Sequence, residues 1–478
     1  MGTKRKYWKG LPELHESPEF LKNKNNEFAE DLPIEEALGS ESLNAGNTSR
    51  RDFLKVVGFT TAAAALASCE TPVIHSIPYV NKPEDVTPGI ANFYASTFYD
   101  GHDYAAVLVK TREGRPIKIE GNSLSKHGHG GTSARIQASV LSLYDGARLS
   151  RPYAKGAEST WKAVDTEIGK GLAGMGGKEI AILSSTIISP STRAVIAEFT
   201  AKYPGTKVYQ YDSVSYSALS SANEKVWGKK VVSSYHFHEA NKIVVGFACD
   251  FLGNWLSPVE FAAGYAKNRK VSKEKPEMSK HYHFESNLSL TGANADERYT
   301  LKPSEVGKAV VALYNEVAKA TGNAASSTSA SIASNPDTQK AIGKIAKELM
   351  GAKGQSLVVC GLNDTDVQVL VNGINKMLDN YGKTIDIENH SNLKQGDDAA
   401  FMGLIEDMNT GKVGAVITYN CNPVYTAPAK SGFTAAFKKV PLKVSFAQVM
   451  DETAMASDYV CPNHNFLESW GDANPKRG

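Results

Sequence analysis

Cysteine is nearly absent: five residues in 478, at positions 69, 249, 360, 421 and 461. No Cys-x-x-Cys pair occurs, so the chain offers neither a zinc ribbon nor a local iron–sulfur nest. A disulfide framework serves domains too small to bury a core, which this length is not. Cys249, Cys360, Cys421 and Cys461 therefore read as small apolar side chains at strand ends. An excess of one charge is also missing, with 53 Lys and Arg against 51 Asp and Glu, so no basic stripe for nucleic acid exists. Walker sequences, a Gly-x-Gly-x-x-Gly after a strand, Gly-x-Ser-x-Gly and His-Glu-x-x-His are all lacking. No apolar run reaches the length needed to cross a bilayer as a helix.

What is present begins with Ser49-Arg50-Arg51-Asp52-Phe53-Leu54-Lys55, the form of a twin-arginine export signal, which delivers a folded protein. Phe53 to Ala67 is apolar but weakened by Lys55, Gly58, Thr60 and Thr61, as suits a signal core. Leu66-Ala67-Ser68-Cys69 then has the form of a lipobox, in which Cys69 is acylated and becomes the new N-terminus. A buried alanine-rich helix would explain neither the arginines at its entry nor the motif at its exit. The expected product is a lipoprotein on the periplasmic side of the bacterial inner membrane, held by lipid on Cys69. One lipidation site holds firmly only with more than one acyl chain or a partner. Residues 1–68 form an extended leader whose Lys22 to Glu41 stretch is expected to be disordered. Tyr7, Trp8, Leu11, Leu14, Phe20 and Leu21 could form a recognition element there, or the leader could be a remnant.

Residues 69–90 carry prolines at 72, 78, 83 and 88 and read as an extended tether. Residues 91–155 read as a small β-rich domain, with strands Tyr104 to Val109 and Pro116 to Glu120 and a helix Ala134 to Tyr144. From 156 to 478 the pattern alternates strands and helices. Glu179 to Leu183, Lys207 to Tyr211, Lys242 to Phe247, Gln355 to Cys360, Ala415 to Thr418 and Leu442 to Phe446 are the strands. Thr321 to Pro336, rich in Ser, Ala and Asn, reads as a surface linker. This rhythm predicts an α/β fold, parallel sheets covered by helices, with ligand crevices at the strand C-termini.

Several landmarks, in order, resemble the molybdopterin-dependent oxidoreductases. They are Gly114-Arg115-Pro-Ile-Lys-Ile-Glu-Gly121-Asn122, Leu143-Tyr144-Asp145 with Arg148-Leu149 and Arg151-Pro152, and Gly246 with Pro258. Ala295-Asp296 with Pro303, Asn422-Pro423, Glu452-Thr453-Ala454, Ser457 to Pro462, and Leu467-Glu468 with Gly471-Asp472 follow. The resemblance implies that family's fold, truncated relative to it. In the family, three cysteines before the Gly-Arg turn and a fourth after it bind a four-iron cluster. Here Tyr94 to Ala105 contains no cysteine, and the fourth position is Ser133, followed by Arg135 where the family keeps a lysine. The molybdenum ligand should fall in Asp212 to Ser221, which offers serines and no cysteine. Leader, signal, lipobox and a cluster-less domain together resemble the iron–sulfur B subunit of alternative complex III, a quinol-oxidising respiratory assembly. That resemblance implies no catalytic, cofactor-binding or metal-binding residue in this chain. It implies iron–sulfur clusters on a C-terminal continuation, and membrane-integral quinol-oxidising and multihaem cytochrome c partners. The alternative is an active periplasmic molybdoenzyme with a serine ligand between Ser213 and Ser221.

The glycine-rich loop Lys126-His127-Gly128-His129-Gly130-Gly131 could hold a metal or a haem propionate, or be a relic loop repacked by hydrogen bonds. His236 with His238, and His281 with His283, alternate as strand residues do and read as structural or interfacial polar groups.

Overall fold

The computed structural model describes residues 86–328, 332 and 336–478, with isolated positions 15, 18, 21 and 84. Ser49, Arg50, Arg51, Phe53, Leu54, Lys55 and Cys69 lie outside the described residues. Val86–Gly478 fold as one unit. Among the described residues no helix is long and apolar enough to cross a membrane.

Three strands, β1 (Asn92–Tyr99), β2 (Tyr104–Arg112) and β3 (Arg115–Gly121), pair antiparallel in the order β1-β2-β3. Glu113 and Gly114 turn β2 into β3 with φ of 50° and 76°, the left-handed pair that matches the twist of a tight hairpin. The inner face buries Phe98, Val107, Val109 and Ile119 against Ile136 and Val140. Ile136 belongs to α1 (Ala134–Ala138), which ends earlier than the sequence predicts and continues as a three-ten turn, Ser139–Tyr144. The cause is local: Ser139 Oγ donates to the Ile136 carbonyl and Ser142 Oγ to that of Ser139, both at 2.7 Å, tightening the coil.

The chain then enters a seven-stranded sheet. Its first strands, β4 (Tyr153–Ala154) and β5 (Ala157–Glu158), form an edge hairpin that a boundary at 155 divides. Next come α2 (Trp161–Ala173), β6 (Glu179–Ser184), α3 (Pro190–Lys202) and β7 (Thr206–Gln210). Thr160 caps α2 and Ser189 caps α3, the latter with Pro190 at the first helical position, where its missing N–H is harmless. A second layer follows: α4 (Ser217–Trp227), β8 (Val232–Tyr235), β9 (Ile243–Phe247), α5 (Pro258–Arg269), β10 (Lys280–Glu285) and β11 (Glu297–Thr300). It continues through α6 (Val306–Thr321), α7 (Pro336–Met350), β12 (Ser356–Cys360), α8 (Thr365–Met377) and β13 (Ile385–Ser391). The chain then returns to the first sheet with α9 (Asp398–Asn409), β14 (Val413–Tyr419), β15 (Leu442–Ala447) and β16 (Tyr459–Pro462).

The large sheet runs β5-β4-β16-β15-β14-β6-β7, and its neighbours from β16 to β7 are parallel. A four-stranded sheet, β11-β10-β9-β12, is wholly parallel, and β13 pairs antiparallel with β8. Central strands are apolar on both faces because helices cover both: all five residues of β9 and of β12 are buried. Val310, Leu313, Ile342 and Ile345 pack on one side of this sheet, and Phe251, Trp255, Phe261 and Tyr265 on the other. In the large sheet, β6 leads outward to β7 while β14 leads the opposite way to β15 and β16. The strand order therefore reverses between β6 and β14, where a doubly wound sheet opens a crevice at its C-terminal edge.

Two sequence readings need correction. His236 and His238 do not share a strand face, because β8 ends at Tyr235. Phe237 turns into the core at 2% exposure, and the Glu239 amide closes a turn on the His236 carbonyl at 3.0 Å. The stretch from Thr321 to Pro336 is not wholly a surface linker either, since Ile332 is buried among the side chains of α6 and α7.

Candidate functional site

The crevice at the switch point is an open cleft of about 1720 Å³. Its floor comes from the loops after β6 (185–192), β14 (419–422) and β15, and its wall from β1. The C-terminal segment 463–473 forms a further wall, fixed where Phe466 meets Phe98 edge-on at 5.3 Å. Arg148, paired with Glu468, holds the same segment.

Next to this cleft, at the resemblance's cluster position, Ser133 Oγ donates to Asp103 Oδ2 at 2.6 Å and accepts from the Ile136 amide, capping α1. The position that would carry a thiolate thus starts a helix. Arg135 lies 3.4 Å from Asp100 and 3.9 Å from Asp103. Behind them, Lys394 is buried at 3% exposure with φ of 56°, and its Nζ donates to the Gly101 carbonyl at 2.7 Å. Burial pulls the Lys394 ammonium down from the usual lysine range, and Asp212, Asp100 and Asp103 pull it back up. His102 is lowered by burial and by Lys394, so it adds no cation at neutral pH. A cross-linked set of two cations and three carboxylates occupies the ground where the family holds a cluster.

The serine-rich segment is exposed at Ser213 and Val214, and its remaining serines are half-buried or buried. Asp212 is buried and accepts from the Thr186 amide (3.1 Å), the Thr186 hydroxyl (2.7 Å) and the Gly396 amide (2.9 Å). Ser215 and Ser217 both donate to Asp398 Oδ2 at 2.8 Å, and Ser220 donates to the Ser217 carbonyl. Ser213 Oγ lies 3.4 Å from His102 Nε2. None of Ser213 to Ser221 lines the cleft. Cys421 does line it, but its thiol donates to the Leu183 carbonyl at 3.3 Å and burial pushes it up to about 12, far from a thiolate. These donor sets offer no thiolate, and Ser133, Ser215 and Ser217 already donate to carboxylates.

The histidine loop resolves into two unlike residues. His127 packs edge-on against Tyr104 at 4.8 Å, 3.8 Å from Glu260, and burial lowers its imidazole below the usual histidine range. His129 is exposed, with φ of 45°. The glycines serve packing, since a Cβ on Gly121 would stand 1.9 Å from the Gly130 carbonyl. Among the described residues no group of three or more His, Cys, Asp or Glu could hold a metal ion. His281 and His283 share a face as the alternation predicts, but deep in the core, at 0% exposure with ring centres 5.4 Å apart. Lys394 was invisible as a site residue, because its partner Gly101 lies hundreds of residues away in sequence.

A three-stranded antiparallel domain beside a doubly wound sheet, with the cleft between them, is a molybdopterin-oxidoreductase-like fold. Acetylene hydratase from Pelobacter acetylenicus superposes with a TM-score of 0.56 at 11% identity, over 76% of this chain and 62% of that one. In sequence, the chain is 23% identical over 411 residues to the menaquinone reductase, molybdopterin-binding-like subunit, of Nitratidesulfovibrio vulgaris. That alignment covers 77% of this chain and 57% of the relative, so the chain spans a little over half the relative's length. No protein-family model matches.

Proposed function

We propose that this chain is the molybdopterin-oxidoreductase-like part of a membrane-bound, quinone-linked respiratory complex, of the alternative complex III type, and that it works without a metal centre of its own. The observation that carries the reading is the engagement of candidate ligand positions by protein carboxylates: Ser133 by Asp103, and Ser215 and Ser217 by Asp398. The relative from Nitratidesulfovibrio vulgaris, named as a menaquinone reductase subunit that is molybdopterin-binding-like, supports the quinone link. The role is to hold electron carriers and neighbouring subunits in a fixed, water-poor arrangement, for which a large, rigid α/β body suffices. Iron–sulfur clusters would sit on a C-terminal continuation, and quinol-oxidising membrane subunits and a multihaem cytochrome c would be the partners. The twin-arginine segment and Cys69 support export and lipid anchoring on the periplasmic face. The serine-ligated molybdoenzyme is the weaker reading, because Ser215 and Ser217 donate to Asp398 and no residue from Ser213 to Ser221 lines the cleft.

Purification from membranes in mild detergent tests this. The wild-type chain should elute with haem-bearing and quinol-oxidising partners, and Cys69→Ala should lose its acyl mass and bind membranes less firmly. Recovery as a lone monomer, or acylation unchanged in Cys69→Ala, would contradict the proposal.

A further inference from the structure

The C-terminal end of α5 and the turn after it, residues 267–280, read Lys-Asn-Arg-Lys-Val-Ser-Lys-Glu-Lys-Pro-Glu-Met-Ser-Lys. Six cations stand there against two carboxylates, in a chain whose charges otherwise nearly balance. Ion pairs do not cancel the excess. Arg269 pairs with Asp296, Lys280 with Glu297 and Glu348, and Glu277 with Lys242, all partners outside the stretch. Lys267, Lys270, Lys273 and Lys275 are exposed, and among the described residues none of the four has a carboxylate partner. The turn is fastened back onto α5. The Ser279 amide donates to the Asn268 carbonyl at 3.1 Å, Arg269 to the Ser279 carbonyl at 2.6 Å, and Lys275 Nζ to the Lys267 carbonyl at 3.1 Å.

Apolar side chains stand among these lysines. Val271 and Met278 are each more than half exposed. Leu290, also more than half exposed, shares an open groove of about 450 Å³ with Ala266, Arg269 and Lys270. Apolar residues scattered singly over a surface need no explanation, but three set among four unpaired ammoniums do. Protein–protein interfaces are depleted of lysine and enriched in aromatic rings, and none of the three is aromatic. Anionic lipid headgroups attract lysine, and apolar side chains enter the boundary between headgroup and acyl chain.

We propose that this face, Lys267 to Met278 with Leu290, docks on the surface of an anionic phospholipid bilayer. It deepens the membrane-bound reading above and rests on it for its setting, but the surface is read without Cys69 or any partner subunit. A single acyl chain anchors reversibly, and a lysine-rich patch is the kind of second signal that makes such anchoring firm.

Vesicle flotation tests the proposal on the full chain carrying Cys69→Ala, so that no acyl chain contributes and the leader is the same in every sample. Vesicles of phosphatidylcholine with phosphatidylglycerol should float the protein, phosphatidylcholine alone should float much less, and added salt should release it. Lys270→Gln with Lys273→Gln should weaken partition about fivefold for each lysine replaced. Val271→Ser with Met278→Ser should weaken it as well, at high salt as at low. All four positions are exposed, so urea midpoints should match the parent chain, which separates lost docking from lost folding. Partition indifferent to lipid charge, or unchanged in both substituted pairs, would overturn the proposal. So would loss of a partner subunit from the detergent-purified complex in these variants with vesicle binding intact, the mark of a protein interface. Failure on vesicles leaves co-purification with partners as it was, so the two readings fail separately.

Discussion

Lys394→Met is expected to unfold at a markedly lower urea concentration than wild type, with a loss of about 3 kcal/mol, the scale seen when one member of a buried ion cluster is removed. Lys394 is 3% exposed and faces Asp100, Asp103 and Asp212, of which Asp103 and Asp212 are themselves buried. Removing the ammonium leaves Asp100 and Asp103 with Arg135, Asp212 with its hydrogen-bond donors, and the Gly101 carbonyl without its donor. Gly101 belongs to the β1–β2 turn and Lys394 to the loop before α9, so the variant should also loosen the small sheet from the α/β body. Limited proteolysis between residues 122 and 152 would show this. In the double variant with Asp212→Asn, part of the loss should be regained, because one uncompensated charge is gone. A wild-type midpoint for Lys394→Met would refute the cluster's structural role.

Acid should destabilise the protein well before its carboxylates titrate. His281 and His283 are fully buried, and burial lowers them to about 3 and about 4. Unfolded, each imidazole returns to roughly 6.5. Between those values the unfolded chain binds more protons than the folded one, so stability is complete above about pH 6.5 and declines as pH falls toward 3. The limiting loss is about 3–5 kcal/mol per ring, less where protonation of one ring suppresses the other. Below about pH 4.5 the lowered carboxyls of Glu285, Asp296 and Glu297 titrate and add loss of the same sign. Urea midpoints from pH 7 to 4.5 isolate the histidines. His281→Phe should flatten that limb; Tyr265, the hydroxyl it deprives, still reaches the Asn294 carbonyl at 3.0 Å. A wild-type midpoint constant down to pH 4.5 would show that these imidazoles are not held neutral by burial.

The fold was legible where burial leaves a direct mark on sequence. Ile180 to Leu183, Ile243 to Phe247 and Leu357 to Cys360 are continuous apolar runs because helices cover both faces of their sheets. Alternation showed two strands of the small sheet, Tyr104 to Val109 and Pro116 to Glu120, but not β1 or the strand order. The site was legible mainly through what Ser133 and Asp212 to Ser221 lack. What replaces a cluster and a ligand was not legible, because it depends on contacts without local pattern. Lys394 sits in an ordinary polar loop, and Cys421 in a turn after β14. The alternation of His281 and His283 gave their shared face but not their depth, since alternation alone cannot tell a core face from a solvent face. His236 and His238 failed for the converse reason, a turn in which Phe237 supplies the buried residue between them.

The central claim is that a molybdopterin-oxidoreductase-like fold works here without its metal. Elemental mass spectrometry for molybdenum and tungsten, on the protein purified from its own membranes and normalised to chain concentration, tests it most directly. The expected result is neither metal above background. One molybdenum or tungsten per chain, retained through gel filtration, would contradict it.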